Sequence, residues 1–218
     1  MARSAGGPWC YDYPRPMVTV DVVVFAIRRK RLHTLLIQRA REPYAGSWAI
    51  PGGFVDQNED LEEAAARELA EETGVAGVPL VQFRAFGAPG RDPRGHTISI
   101  AYYALWPPRK RPPRAGDDAS RVRWFDLTAL PKLAFDHAEI LQAARRRLEE
   151  DFLHRGVAAC LLPRTFALES LLALANAIVE PSPDPRRLRR AFLGSGLLRE
   201  VRPKRNPPRF AFRAAPPV

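Results

Sequence analysis

Hydrophobic positions in the first half of the chain follow a strand pattern broken by turns. Residues 17–27 (MVTVDVVVFAI) are rich in β-branched side chains and predict a buried strand. A charged turn follows over residues 28–31 (RRKR), and residues 35–38 (LLIQ) then predict the second strand of a hairpin. Residues 107–119 are rich in Pro and Arg and predict a loop, because proline is excluded from central strands. Further strands are predicted over residues 81–86, 96–106 and 123–125.

Helical patterns occur once in the middle of the chain and repeatedly after about residue 137. Residues 59–73 are rich in Glu, Ala, Leu and Arg, and Gly74 stands where a C-cap is expected. Asp184 and Pro185 are suited to the N-cap and first position of another helix, which we expect to end near residue 193. Two more helices are predicted over residues 138–152 and 167–179.

The C-terminal elements form a recognisable order. After the last helix, short strands over residues 200–201 and 209–213 flank a basic, Pro-rich tip, residues 202–208. Two helices followed by a hairpin with a basic tip are typical of a winged helix-turn-helix domain. We therefore expect a domain boundary near residues 133–137.

Composition excludes several classes of protein. There is no run of about 18 apolar residues, so no membrane span is expected. Residues 1–16 lack an apolar core typical of a signal peptide and are interpreted as a flexible lead-in. Cys10 and Cys160 are the two cysteines, and neither has the spacing of a zinc site or a disulfide framework. A cytoplasmic location fits this composition.

Positive charge is concentrated at the C-terminus. The net charge is +10, and residues 154–218 hold 12 Lys/Arg against 4 Asp/Glu. This asymmetry indicates a surface that faces a polyanion, or alternatively a solvated basic surface without a partner.

A cluster of carboxylates on the predicted helix over residues 59–73 is the clearest candidate for a metal-binding site. Glu68, Glu71 and Glu72 fall within an arc of about 100° on a helical wheel, where like charges repel. Oxygen ligands without Cys or His favour Mg²⁺ or Mn²⁺. A divalent ion there can neutralise phosphate charge and activate water.

The spacing of these residues resembles a family signature. Gly53, Glu59 and the run from Arg67 to Val75 (RELAEETGV) match the Nudix pattern G-x5-E-x7-R-E-U-x-E-E-x-G-U at all nine specified positions, U being aliphatic. The resemblance implies a metal-dependent hydrolase of phosphoanhydrides. It assigns metal binding and catalysis to Glu68 and Glu72, with Glu71 in support. We interpret Arg67 as a partner of a nearby carboxylate, with Glu59 as the candidate, and Gly53 as a residue that lets the substrate-side loop fold over the helix.

The resemblance extends over about residues 14–213. Residues 41–54, 86–95 and 133–137 are similar to the ADP-ribose pyrophosphatase-like branch, and more closely to Nudix-related transcriptional regulators of bacterial NAD metabolism. This implies an α+β chain with a Nudix α/β/α sandwich and mixed sheet over residues 17–136. A linker helix and winged helix-turn-helix domain over residues 137–218 would follow. The implied partners are ADP-ribose or a related nucleotide, double-stranded DNA and a second copy in a homodimer.

Individual residues outside the signature can be assigned to three groups. Arg91 and Arg94 are proposed to bind substrate phosphate, with a solvated turn as the alternative. Relatives carry an acidic residue near Arg121, and its absence leaves the general base open between Asp117 and Asp118. Trp48 is either a core residue or a platform for a base, and His137 is interpreted as a packing or capping residue.

The last predicted helix separates charged from apolar positions. On a helical wheel its arginines lie on one side and Leu188, Ala191 and Phe192 on the other. Such a helix can dock on a core and present cations to DNA. The proposed DNA-binding residues are Arg186, Arg187, Arg189, Arg190 and, at the hairpin tip, Lys204 and Arg205.

Three functions remain open at this point. The first is a Nudix hydrolase of ADP-ribose coupled to DNA binding. The second is a plain nucleotide pyrophosphatase whose tail does not bind DNA. The third is a repressor that senses ADP-ribose without cleaving it.

Overall fold

The computed structural model describes residues 12–107, 113, 119–181, 183–201 and 208–213. Most of the predicted lead-in and of the Pro-rich loop lies outside these ranges. Within them, no helix combines the length and apolar character needed to cross a bilayer.

A seven-stranded mixed sheet forms the first part of the chain. Its strands are β1 (Met17–Arg28), β2 (Arg31–Arg39), β3 (Trp48–Ala49), β4 (Gly52–Phe54), β5 (Val81–Phe86), β6 (Thr97–Leu105) and β7 (Ala119–Asp126). The main path runs β3-β2-β1-β6-β5, with β4 paired to β1 and β7 to β2. Only the β1–β6 pair is parallel among the described strands.

Strand β1 lies at the centre and is buried on both faces. Val22 and Val24 belong to an apolar cluster shared with α1 (Leu61–Thr73), whereas Val23 and Phe25 belong to the cluster on the other face, shared with α2 (His137–His154). Alternate side chains of a strand point to opposite faces, so a continuous β-branched run suits a strand covered on both sides. The predicted α/β/α sandwich with a mixed sheet is confirmed, but its second helical layer is α2, which was predicted as a linker helix after the sandwich.

In the seven-stranded sheet, two predicted strands have bounds that differ by more than one residue from the sequence prediction. Strand β2 begins at Arg31 because the turn contains only Arg29 and Lys30, both in the left-handed region at φ 50° and 62°. Strand β7 is eight residues long rather than three, because ladder pairing with β2 extends past its apolar residues. The short strands β3 and β4 were not predicted, since two or three residues carry no periodic pattern.

The C-terminal part contains the predicted pair of helices and hairpin. Its elements are β8 (Phe166–Ala167), α3 (Leu168–Ile178), α4 (Pro185–Gly194), β9 (Leu198–Val201) and β10 (Arg209–Phe212). Asp184 caps α4 by accepting a hydrogen bond from Arg187 N at 2.8 Å. Strand β8 was not predicted and pairs with β10. Residues 202–207, which include Lys204 and Arg205, lie outside the described residues.

One hydrophobic cluster joins the sheet to the C-terminal helices. It runs from Phe25 and Tyr103 in the sheet through Phe152 of α2 to Phe192 of α4. The rings of Phe152 and Phe192 meet edge to face, with 5.7 Å between centroids. Helix α2 therefore packs against both the sheet and α4.

Candidate functional site

The signature residues lie on α1 and on the strand β4 that precedes it. The helix begins after Asp60, whose side chain accepts a hydrogen bond from Glu62 N at 2.9 Å, and ends at Gly74, which adopts a left-handed φ of 66°. These caps fix the length of the helix that carries Glu68 and Glu72.

Two glycines of β4 pack directly on the carboxylate face of α1. Gly52 N donates to Glu72 Oε2 at 2.9 Å. A Cβ placed on Gly53 would lie 2.5 Å from Glu68 Oε2 and closer still to the other carboxylate atoms. Gly53 is thus required by close approach rather than by an unusual φ.

Arg67 holds this arrangement together. Its Nε and Nη2 donate to the two oxygens of Glu59 at 2.7 and 2.9 Å, which confirms the predicted pairing. Its Nη1 donates to Glu68 Oε1 at 2.8 Å, and Nη2 also donates to Phe54 O at 3.0 Å. The hydrogen bond from Arg67 lowers the pKa of Glu59 to about 2.

The three predicted carboxylates have different environments. Burial raises the pKa of Glu72 to about 8, and the negative charges of Glu68 and Asp21 add to that effect. Burial also raises the pKa of Glu68, against the opposing influence of Arg67. The Glu71 side chain is 60% exposed and contacts Arg67 Nη1 at 3.3 Å. The structure therefore brings Glu68 and Glu72 together and leaves Glu71 at the surface. Within the described ranges, no group of three or more His, Cys, Asp or Glu side chains is placed to hold a metal ion.

A cavity with two lobes lies above these carboxylates. The outer lobe is lined by Glu68, Glu72 and Asp56, and the inner lobe by Asp21, Arg91 and His137. Residues lining both lobes connect them: Arg39, Gly52, Gly53, Phe54 and Arg94.

Both predicted arginines line the inner lobe, but their partners differ. Arg91 donates from Nε and Nη2 to both oxygens of Asp136, at 2.8 and 2.7 Å, and its side chain is only 5% exposed. Arg94 pairs with Asp92 at 2.7 Å, and its guanidinium lies 4.7 Å from the Phe54 ring centroid and 5.6 Å from that of Phe135. Arg94 thus keeps part of its surface toward the cavity.

Arg39 was not selected from the sequence. It lines both lobes and lies 4.9 Å from the Phe135 ring centroid, while its Nε donates to Pro43 O at 2.8 Å. Burial and the positive charge of Arg94 lower its pKa. No carboxylate of the described residues lies within 4 Å of its guanidinium. Arg39 is the last residue of the apolar strand β2. Nothing in the local sequence marks it as a site residue, and only its position over the cavity indicates that role.

His137 is buried at the start of α2. Its Nδ1 accepts a hydrogen bond from Ile50 N at 2.9 Å, so the ring proton is on Nε2, which lies 3.5 Å from Asp21 Oδ1. Burial lowers the pKa of His137. Ser99 donates a hydrogen bond to Asp21. This geometry agrees with a packing role.

The remaining predicted residues that the structure describes lie away from this cavity. Trp48 is partly buried and packs on Phe125, with 4.7 Å between ring centroids. The proposed bases Asp117 and Asp118 lie outside the described residues. The four arginines of α4 are exposed, whereas Leu188 and Phe192 are 2% and 1% exposed. The helix therefore docks by Leu188 and Phe192 of the predicted apolar side, whereas Ala191, which was assigned to the same side, is exposed.

Comparison with known proteins finds a NUDIX domain and relatives whose names refer to ADP-ribose. A NUDIX domain model matches residues 16–144. The chain is 34% identical over 194 residues to the ADPR responsive transcriptional repressor NtrR of Acinetobacter baylyi, covering 87% of this chain and 77% of that protein. It is 43% identical over 132 residues to the ADP-ribose pyrophosphatase of Methanocaldococcus jannaschii, covering 60% and 73%.

A solved structure extends the similarity to the C-terminal part. The crystal structure of Shewanella oneidensis NrtR complexed with a 27mer DNA superposes with a TM-score of 0.70 at 30% identity, covering 89% of this chain and 92% of that one. The order of a mixed-sheet sandwich followed by a winged helix is common to both chains.

Proposed function

The chain belongs to the Nudix family, and we propose that it hydrolyses the diphosphate of ADP-ribose or a related nucleotide with a divalent ion, and binds duplex DNA through its winged helix. The observation that carries the hydrolytic part is that Glu68 and Glu72 line the same cavity as Arg39 and Arg94. Carboxylates that attract a cation and guanidiniums that attract phosphate suit a metal-bound diphosphate.

The residues present fit a hydrated Mg²⁺ or Mn²⁺ ion. Such ions are commonly held by one or two carboxylates, with water and substrate phosphate completing the shell. Glu68 and Glu72 supply hard oxygen ligands, and burial raises the pKa of Glu72 to about 8, so a bound cation would stabilise the charged form of this carboxylate. When bound, the ion would polarise phosphate oxygen and lower the pKa of a water ligand. Glu71 would support the site by holding Arg67, which orients Glu68.

The protein's own side chains would position the diphosphate. Arg39 and Arg94 present positive charge from the wall that both lobes share. One guanidinium group can donate to two phosphate oxygens at once, and its positive charge offsets the negative charge that develops on the leaving phosphate. The predicted role of Arg94 is retained in this proposal, and Arg39 is added. The relative from M. jannaschii, an ADP-ribose pyrophosphatase, supports the choice of substrate class.

Hydrolysis is tested by Mg²⁺-dependent release of AMP from ADP-ribose. Glu72→Gln removes one proposed ligand and should lower kcat at least 100-fold. Glu63→Gln on the same helix is the matched control, because Glu63 is exposed in the first turn and should retain wild-type kcat. Equal activity of both variants would refute the assignment. No turnover by the wild type across a nucleotide panel would favour a sensor that binds without cleaving.

DNA binding is proposed from the exposed side of α4. Arg186, Arg187, Arg189 and Arg190 are exposed while the opposite side packs on the core. This is the arrangement needed for a helix that enters the major groove. The DNA complex of the S. oneidensis relative supports the same use of this part of the chain. We propose that residues 137–218 hold α2 as a linker helix followed by the DNA-binding unit, with Lys204 and Arg205 on its hairpin, and that a homodimer reads a symmetric site.

The salt dependence of duplex binding tests this surface. Replacing Arg186 and Arg190 by Ala should reduce the slope of log K against log salt by about 2, if each arginine contacts one phosphate. The control replaces Arg29 and Lys30, which changes net charge equally on the β1–β2 turn and should leave the slope unchanged. Equal losses in the two variants would indicate non-specific attraction, and would favour a hydrolase whose tail does not bind DNA.

A further inference from the structure

Asp136 occupies the N-cap position of α2 but does not cap the helix. Within the described residues, its side chain makes no capping hydrogen bond. Both of its oxygens accept from Arg91 instead. Aspartate is among the preferred N-cap residues because it can accept from free N–H groups of the first turn. The ion pair with Arg91 therefore replaces a contact that the same carboxylate is suited to make.

The residues around Asp136 also face the cavity. Phe135 adopts a left-handed φ of 50°, unusual for a bulky residue, and its ring contacts both Arg39 and Arg94. His137, the first residue of α2, lines the inner lobe. Three consecutive residues thus connect the cavity wall to the start of one helix.

The opposite end of α2 contacts the proposed DNA-binding unit. With about 1.5 Å of rise per residue, its 18 residues span roughly 27 Å. Near its C-terminal end, Phe152 packs on Phe192 of α4, and Asp151 accepts a hydrogen bond from Tyr103 at 2.7 Å. Leu188 and Phe192, the buried residues of α4, belong to the same cluster as Phe152. A rigid helix packed at both ends can transmit a displacement of its first turn.

We propose that an anionic ligand in the cavity competes with Asp136 for Arg91, and that the released Asp136 caps α2 and changes the position of α4. This inference rests on the proposed function and names how its two activities are linked. A nucleotide diphosphate carries oxygens that would accept hydrogen bonds from Arg91 in place of the carboxylate. The ligand can change DNA affinity only if it binds with different affinity to the state in which Asp136 is paired with Arg91 and to the state in which Asp136 is released.

The test uses the full chain and α,β-methylene ADP-ribose, in which carbon replaces the scissile oxygen. For the wild type, saturating analogue should change the Kd for duplex DNA at least fivefold. Asp136→Asn keeps a good N-cap but weakens the pair with Arg91. Without analogue, its DNA Kd should lie within twofold of the value for analogue-saturated wild type, and analogue should change it less than twofold. It should also bind the analogue several-fold more tightly, because Asp136 no longer competes.

Controls separate this mechanism from loss of structure. Glu149→Gln breaks an ion pair with Arg145 elsewhere on α2 and should keep the wild-type response. Arg91→Lys, which cannot form the bidentate pair, should show the same DNA Kd as Asp136→Asn but weaker analogue binding. A wild-type response in Asp136→Asn, or a wild type that binds both partners without a shift, would overturn the proposal. Normal AMP release and DNA binding in that case would leave the proposed function intact.

Discussion

Replacing Gly53 by Ala should separate catalysis from stability. The added Cβ would stand 2.5 Å from Glu68 Oε2 and even nearer to its Cδ. Ordinary contacts between heavy atoms begin near 3.5 Å, so the carboxylate must move by about 1 Å. Since the atoms in conflict are at the end of a flexible side chain, the fold can accommodate the change.

The expected magnitude follows from that displacement. A shift of about 1 Å in a catalytic group lowers rates by roughly 100-fold, or about 2.7 kcal/mol in activation free energy. We therefore expect a kcat about 100-fold lower for AMP release and a higher Mg²⁺ concentration at half-maximal rate. Thermal unfolding should show a loss of stability near 1 kcal/mol, at the lower end for an overpacked site.

Two comparisons make this result decisive. Gly194→Ala introduces a Cβ with no atom within 4 Å and should leave hydrolysis unchanged. In the double variant Gly53→Ala/Glu68→Gln, the two losses should not add, because both act on one carboxylate. Wild-type kcat and Mg²⁺ dependence in a folded Gly53→Ala protein would refute the placement of Glu68 in the reaction.

Three further predictions concern buried and cavity residues. Burial lowers the pKa of His137 in the folded protein. As pH falls, this histidine is therefore protonated in the unfolded chain before it is protonated in the folded one. The contribution of His137 to the free energy of unfolding should then fall as pH drops below about 6.5, by up to about 1.4 kcal/mol per unit. His137→Asn, which can still accept from Ile50 N, should lack that contribution, so the difference in unfolding free energy between wild type and variant should show this slope in denaturant titrations at pH 5–7, whereas the raised pKa of Glu72 affects both proteins alike. Arg39→Ala should raise the KM for ADP-ribose roughly 10-fold or more through loss of a charged hydrogen bond, whereas Arg29→Ala should leave it unchanged in steady-state kinetics. Phe192→Ala, at a side chain 1% exposed, should destabilise the protein by about 3–5 kcal/mol in urea unfolding, and a loss below 1 kcal/mol would contradict its place in the core.

Local sequence was sufficient for elements whose determinants are close together in the chain. Helix α1 was predicted because helix formers precede a glycine that adopts the left-handed conformation, and the pairing of Arg67 with Glu59 spans only eight residues. The bounds of α4 followed from Asp184 and Pro185, which start a helix through local hydrogen bonding and a fixed φ.

Which of several glutamates or arginines lies in the site depended on contacts between residues that are distant in the sequence. Helical periodicity placed three glutamates within one arc, but the packing of Gly52 and Gly53 buries Glu68 and Glu72 and leaves Glu71 exposed. The pair between Arg91 and Asp136 joins residues 45 positions apart, and no local pattern could reveal it.

The spacing of the chain by itself determined its family signature, and the resemblance carried by that signature implied the sandwich. Periodicity and capping, which are local properties, determined the amphipathic character of α4. Only the tertiary structure decided that Arg39 faces the cavity and that Arg91 is held by Asp136. The reason is physical: a guanidinium is identical at every arginine, and its role depends on which carboxylate, ring or open space the folded chain places beside it.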